Sequence, residues 1–201
     1  MEPKAQTHGP RRAQGSAGAR EGADPLGRSP AATPPADPLA SASAAVAWMV
    51  VINKPLYPAM IWWYVGGGFK ASLATLIAAP LYAAAAFLAR RAPLAARVAT
   101  PAVGMADTVL ATLVFGTGSG VELFLFACGL LAALSFRPNE VWWSRGLIGV
   151  IFVAFVAMRL GGGALYPLPP DQLGRLLDLN VFGSASLFAF IGLRFGGVDR
   201  E

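Results

Sequence analysis

Four polar residues interrupt the long apolar stretches of this sequence, where a side chain would act out of contact with water. A charge at the centre of a membrane helix costs roughly 2.5 to 3.5 kcal/mol on insertion scales, so such a residue usually has a partner or a function. We predict that these residues form an intramembrane polar site, and they are Asp107, Glu122, Arg159 and Asn180.

Three of these residues carry charge and suggest specific chemistry. Glu122 and Arg159 each lie about one turn inside the same end of their predicted helices. This matched depth predicts an ion pair, which is either a structural clasp or part of an outward-facing ligand site. Asp107 lies near the centre of its helix. It either hydrogen-bonds across the bundle or exchanges a proton with a ligand, an ion or a hydroxyl such as Tyr82 or Thr108.

Most catalytic chemistry is disfavoured by the residue types that the apolar stretches lack. The one histidine, His8, precedes them, which argues against haem ligation, zinc sites and Ser-His hydrolysis among the helices. No predicted cytoplasmic loop has a cluster of acids for magnesium. The single cysteine, Cys128, is interpreted as a small apolar filler. We therefore expect no cofactor, no metal and no enzymatic activity.

The stretch "GTGSG" at 116–120 resembles part of a phosphate-binding loop. It lacks the lysine of a P-loop and follows an apolar helix rather than a buried strand. We interpret it as a turn between two helices.

The elements that position these residues are predicted from composition. Hydrophobic residues make up 55% of the 201 positions and charged residues 13%, with a mean hydropathy of +0.54. Soluble domains have about 25% charged residues, so this composition indicates an integral membrane protein. Residues 1–43 have few large side chains and are predicted to be a disordered cytoplasmic tail. Residues 197–201 are predicted to be a short cytoplasmic C-terminus.

The fold class predicted is all-α, a polytopic membrane bundle of about six transmembrane helices over residues 44–196. A bilayer core needs roughly 20 apolar residues per helix. One span lies within residues 44–66 but is interrupted by Asn53, Lys54 and two prolines. Either one kinked helix crosses there, or residues 44–52 lie along the interface and a short span begins at Lys54. Five clearer spans are predicted at about 71–90, 98–115, 119–136, 142–162 and 178–195.

Basic residues orient the predicted spans. With six spans and both termini in the cytoplasm, most Lys and Arg residues, including Lys54 and Arg97, fall on the cytoplasmic side. Those left on the other side are Lys70, Arg159 and Arg175. The predicted location is the bacterial inner membrane, with multiple passes.

Several stretches taken together resemble a known family. They are "ARRAPLAAR", "LVFGTGSGVELFLFACGLLAALSF", "RPNEVWW", "YPLPP" and "LDLNVFGSASLFAF". They are similar, over about residues 50–195, to the six-helix membrane-associated sensor (MASE-type) domains that precede bacterial adenylate and diguanylate cyclase domains. The resemblance implies perception of a membrane or outer-side signal and its transmission through the last helix, with no catalytic residues. "RFGGVDRE" stands where that family continues into a catalytic domain, which implies a stand-alone relative or a fragment of a longer protein.

Two functions remain open at this point. The first is a sensory or scaffold domain that signals through a separate cytoplasmic protein. The alternative is a small transporter or channel that uses Asp107 and the Glu122/Arg159 pair, although internal repeats are missing. The expected partners are the lipid bilayer, that cytoplasmic protein and, through small residues on the helices, a second copy of the chain. The scattered basic residues disfavour nucleic acid.

Overall fold

The computed structural model describes residues 37–161 and 163–198, and every regular element in those ranges is a helix. This confirms the predicted all-α class. The predicted C-terminal segment lies mostly outside the described residues, and so does the predicted tail up to residue 36. The α-helices are α1 (Pro38–Asn53), α2 (Leu56–Met60), α3 (Phe69–Ser72), α4 (Ala78–Leu88), α5 (Pro93–Phe115), α6 (Phe124–Leu134), α7 (Val141–Gly161) and α8 (Pro170–Phe195).

Short turns of other helical geometry extend these helices. A π-helix, Ile61–Val65, continues α2, and a 3-10 helix, Leu73–Ile77, joins α3 to α4. Two further 3-10 turns, Val121–Leu123 and Pro138–Glu140, precede α6 and α7. With these extensions, four helices of the described chain are long and apolar enough to cross a membrane: Phe69–Leu88, Pro93–Phe115, Pro138–Gly161 and Pro170–Phe195.

The first predicted span is a bent pair of helices, which would make a fifth crossing. Pro38–Asn53 and Leu56–Val65 pass the same length and composition test together and meet at an angle of 41°. The bend lies at Pro55, the N-cap of α2, because a proline has no N–H to continue the ladder of α1. Helix α6 and the 3-10 turn before it form one apolar stretch, Val121–Leu134, which is shorter than a usual span.

Helix α1 begins at Pro38, and residues 38–43, which were predicted to belong to the tail, are therefore helical. The carboxylate of Asp37 accepts hydrogen bonds from the N–H groups of Leu39 and Ala40, at 2.9 and 3.2 Å. Pro38 occupies the first helical position, where its missing N–H costs nothing. This N-cap sets the start of the helix.

Helix α8 begins at Pro170, before the predicted residue 178. Pro169 has an extended ψ of 151°, and Pro170 stands at the first helical position. The segment before it runs along the end of α5, where the N–H groups of Leu165 and Tyr166 donate to the carbonyls of Leu113 and Val114 at 2.9 and 2.8 Å. The connection therefore satisfies carbonyls that α5 leaves free in its last turn.

The bundle has two chemically different ends. The arginine end contains the start of α1, the start of α5 and the bend between α6 and α7, which meet through ion pairs of Asp37, Arg97, Arg137 and Glu140. The glycine end contains the turns that follow α2 and α5 and the connection that follows α7. Its glycines with positive φ are Gly66, Gly68, Gly116 and Gly120.

Helix α6 packs against α5, α7 and α8. Its buried residues are Leu125, Ala127, Cys128, Leu131 and Ala132. Helix α7 is the opposite case, since Ile151 is its one buried residue in the part of α7 that the structure describes. Large apolar side chains such as Trp62, Phe152 and Leu193 cover the exterior. An exterior of this kind, together with several long apolar helices, indicates a membrane protein.

Candidate functional site

The break between α1 and α2 places Lys54 inside the bundle, against Asp107 of α5. The Lys54 ammonium nitrogen lies 2.6 Å from each carboxylate oxygen of Asp107. The two side chains are only 9% and 13% exposed. Short charge-assisted hydrogen bonds of this kind are about twice as strong as neutral ones. Asp107 therefore has a cationic partner, which the sequence analysis did not foresee.

The assignment of Lys54 to the cytoplasmic side is thus corrected. Lys54 follows the last residue of α1 and precedes Pro55, so it looked like the start of a new span. In the structure the chain bends there without leaving the bundle, and the side chain of Lys54 points inward. A lysine at a proline break, opposite the one acid near the centre of a helix, was the signal available in the sequence.

A cavity of about 340 Å³ lies beside the Lys54–Asp107 pair. Its walls come from α1, α2, α4, α5, α6 and α8, and they are mostly apolar. Tyr82 and Thr108, the hydroxyls predicted to lie near Asp107, both line it. The other lining residues are Met49, Val50, Asn53, Leu56, Tyr57, Met60, Thr75, Ala111, Val121, Phe124, Cys128, Leu179, Phe182, Gly183, Ser186 and Leu187.

Asn180 is fully buried behind one wall of this cavity, where it fastens three elements together. The Tyr57 hydroxyl of α2 donates to its side-chain oxygen at 3.1 Å. Its amide nitrogen donates to the carbonyl of Ser119, in the turn between α5 and α6, at 2.9 Å. Asn180 does not itself line the cavity. It positions Tyr57, which does.

Glu122 and Arg159 meet at the glycine end, where a guanidinium nitrogen of Arg159 lies 3.2 Å from a carboxylate oxygen of Glu122. The exposure of the pair is very uneven, 2% for the Glu122 side chain and 53% for that of Arg159. The second oxygen of Glu122 is buried and has no hydrogen-bond partner among the described residues. Neither residue lines the cavity. The four predicted site residues therefore occupy two places and not one.

A third ionic cluster lies at the arginine end, and its centre is Arg97. Two guanidinium nitrogens of Arg97 donate to the two carboxylate oxygens of Glu140 at 2.6 and 2.8 Å. One of them also donates to the carbonyl of Ser135 at 3.1 Å. Asp37 lies 3.6 Å from Arg97 and 3.4 Å from Arg137. Arg97, predicted to be a loop charge on the cytoplasmic side, is instead buried and joins α1, α5 and the bend after α6.

The stretch "GTGSG" is a turn, as predicted. Gly116 ends α5 with a φ of 80°, and Gly120 precedes α6 with a φ of 71°. Side chains with a Cβ rarely adopt such angles. A Cβ at Gly120 would also lie 2.5 Å from a methyl group of Leu177, so glycine is required for packing as well.

The fold and the site together define an all-helical bundle with several apolar helices, a buried ion pair and an internal cavity. The chain matches no family model, and comparison with curated proteins and with solved structures gives no match. The resemblance to MASE-type domains stays a prediction.

Proposed function

We propose that this protein is a sensory bundle of the inner membrane, in which a lipid-soluble signal occupies the cavity and a separate cytoplasmic protein responds. The observation that carries the proposal is the Lys54–Asp107 pair, which lies in the cavity wall at the break of the first span. An occupant would contact the ion pair and both halves of the bent span at once. Occupancy can therefore bias the angle between α1 and α2.

Helix α8 offers a route from the cavity to the arginine end. It contributes Leu179, Phe182, Gly183, Ser186 and Leu187 to the lining. Its last residues, Ile191 and Phe195, are buried against Leu39 and Val46 of α1. A shift of α8 caused by an occupant would thus change the packing at the start of α1. Transmission through the last helix is also what the resemblance to MASE-type domains implies.

Six crossings are part of this proposal, although α6 is short. Helix α6 follows the glycine-end turn and is capped at its C-terminus by Ser135, whose hydroxyl lies 3.3 Å from that of Ser43 in α1. It packs against α5, α7 and α8, and one of its faces is buried. A helix packed against protein does not need the full lipid-spanning length, because neighbouring elements can satisfy the backbone at its ends. The arginine end would then be cytoplasmic, with Asp37 and Val198 on the same side.

A distance measurement tests the proposed transmission. In a Cys128→Ala background, Ala95→Cys and Leu193→Cys place spin labels at exposed positions of α5 and α8 near the arginine end. Adding lipid extracted from the native membrane to protein in nanodiscs should change their distance by about 1 to 2 Å, the scale of allosteric helix shifts.

Two variants of α8 provide the control for that measurement. Ser186→Phe places a ring at the exposed edge of the cavity and should abolish the change in distance, while Ala189→Phe, an exposed position outside the cavity, should preserve it. A distance that does not change with lipid extract, or that changes equally in both variants, contradicts the sensory proposal.

The transporter alternative is favoured by one observation, namely that the broken helix and its ion pair lie away from both ends of the bundle. Discontinuous helices that carry ionic groups are common at transporter sites. Proton flux into liposomes containing the protein, driven by a membrane potential and read with a pH-sensitive dye, separates the two functions. A flux above that of empty liposomes supports transport. The sensory proposal predicts no flux above that of empty liposomes.

A further inference from the structure

We propose that the cavity binds an uncharged lipid-soluble molecule with a ring-borne carbonyl group, such as a quinone, which enters sideways from the bilayer. This inference rests on the proposed function and specifies the chemical class of its ligand.

The mouth of the cavity lies on the flank of the bundle. We use the term mouth for Leu56 and Met60 of α2 together with Phe182 and Ser186 of α8, which line the cavity and are exposed on the outer surface. The opposite wall, at Thr108 and Ala111, is buried. The mouth thus opens between two apolar helices, so a ligand would arrive from the hydrocarbon and not from water.

The charge of the ion pair selects an uncharged ligand. Lys54 and Asp107 neutralise each other, and both carboxylate oxygens are already occupied by the ammonium group. A cationic ligand would be repelled by Lys54, and an anionic one would compete with Asp107 for it. Either would bring an unbalanced charge into an apolar space, which is costly.

The ion pair retains hydrogen-bonding capacity for an acceptor on the ligand. An ammonium group has three N–H donors, and one of them donates to Oδ1 of Asp107. An N–H that Asp107 does not take can donate to a carbonyl oxygen. The Ser186 hydroxyl at the mouth is a second polar contact. Lys54 therefore defines where the oxygen of the ligand should lie.

The apolar walls and the size of the cavity match a substituted ring. Ligand pockets span about 300 to 1,000 Å³, so a cavity of about 340 Å³ is at the small end of that range. It accommodates a ring with short substituents, while a longer alkyl chain would extend through the mouth. Met49, Met60 and Phe124 supply adaptable and aromatic surface for the ring.

Binding can be measured with 2-decyl-1,4-benzoquinone as the probe, on the full chain in nanodiscs. Thermal unfolding should show a saturable rise in midpoint with probe concentration. Decylbenzene has the same shape without the oxygens. It should bind at least about tenfold more weakly, because it cannot accept a hydrogen bond from Lys54. The double variant Lys54→Met/Asp107→Leu removes the donor without leaving a charge, and it should bind both compounds equally.

Variants at and beyond the mouth separate cavity binding from partition into lipid. Ser186→Phe should abolish the saturable rise, while Ala189→Phe should not change it. A rise that is unsaturable, or equal in the two variants, overturns the inference.

Charged probes distinguish failure of the ligand class from failure of the proposed function. If decylamine or decanoate gives a saturable rise that Ser186→Phe removes and the quinone gives none, the ligand class proposed here is wrong but the cavity still binds a lipid-soluble signal. If none of the probes gives a saturable rise, the inference fails, and the distance measurement with native lipid extract decides the proposed function independently.

Discussion

Lys54 and Asp107 show how single residues shape this bundle. Each would be an isolated charge in an apolar interior, and each lowers the other's burial cost through a short hydrogen bond and a close ion pair. Arg97 with Glu140 is a second such pair, while in Arg159 with Glu122 only the glutamate is buried. Breaking such a pair by removing one partner is costly, whereas replacing both by apolar residues often is not.

We expect Lys54→Met to lower the free energy of unfolding by about 3 to 5 kcal/mol, because it leaves the Asp107 carboxylate buried without a partner. Asp107→Asn should cost a similar amount by isolating the ammonium group. Lys54→Met/Asp107→Leu should recover most of the loss. Denaturation in detergent, followed by circular dichroism, measures all three. A double variant no more stable than the single ones would show that the two charges are not coupled.

At the glycine end we expect an asymmetric response. Arg159→Gln should cost about 1 to 3 kcal/mol, because it leaves Glu122 buried without its partner. The exchange Glu122→Arg/Arg159→Glu should not recover this loss, since position 122 is 1% exposed and lacks room for a guanidinium in contact with water. If the two residues were paired in equally buried surroundings, the exchanged variant would instead regain the lost stability. Thermal midpoints of the single and exchanged variants in detergent decide between the two.

At the scale of elements, the turn between α5 and α6 depends on glycine. Gly120→Ala should destabilise by about 1 to 3 kcal/mol, because the φ of 71° is unfavourable for alanine and the new Cβ would collide with Leu177. Gly129→Ala, inside α6 with open space around it, is the matched control. It should be neutral or stabilising by up to about 1 kcal/mol. Equal losses at both positions, measured by chemical denaturation, would mean that the turn geometry is not the cause.

The elements were largely predictable from the sequence, because long apolar runs identify membrane helices. Their ends were harder to predict. Pro38 and Pro170 start helices in polar or proline-rich stretches, where capping geometry outweighs hydropathy. The site was predictable only in part. The matched depth of Glu122 and Arg159 in their helices was enough to predict their pairing. The pairing of Asp107 with Lys54 depends on how the chain bends at Pro55, and the spacing of residues in the sequence does not show that bend.

For the whole molecule, labelling of single cysteines decides whether α6 crosses the membrane. In a Cys128→Ala background, Thr117→Cys should react with a membrane-impermeant maleimide added to intact cells, while Asn139→Cys should react only after permeabilisation. The two positions flank the α6 segment, at the glycine end and the arginine end. Labelling of both from the same side would limit the bundle to fewer than six crossings.

The pairing of charges between distant helices also bears on the order in which the protein is made. Lys54 is synthesised 53 residues before Asp107, so it leaves the ribosome long before its partner. Until then a lysine within the first span would cost roughly 2.5 to 3.5 kcal/mol in the bilayer, enough to disfavour stable integration. The first span would therefore wait beside the insertion machinery until α5 arrives. Biogenesis would be cooperative over the first three spans, and in a nascent chain stalled before Asp107 the first span should stay accessible to a membrane-impermeant reagent, unlike in a chain stalled after α5.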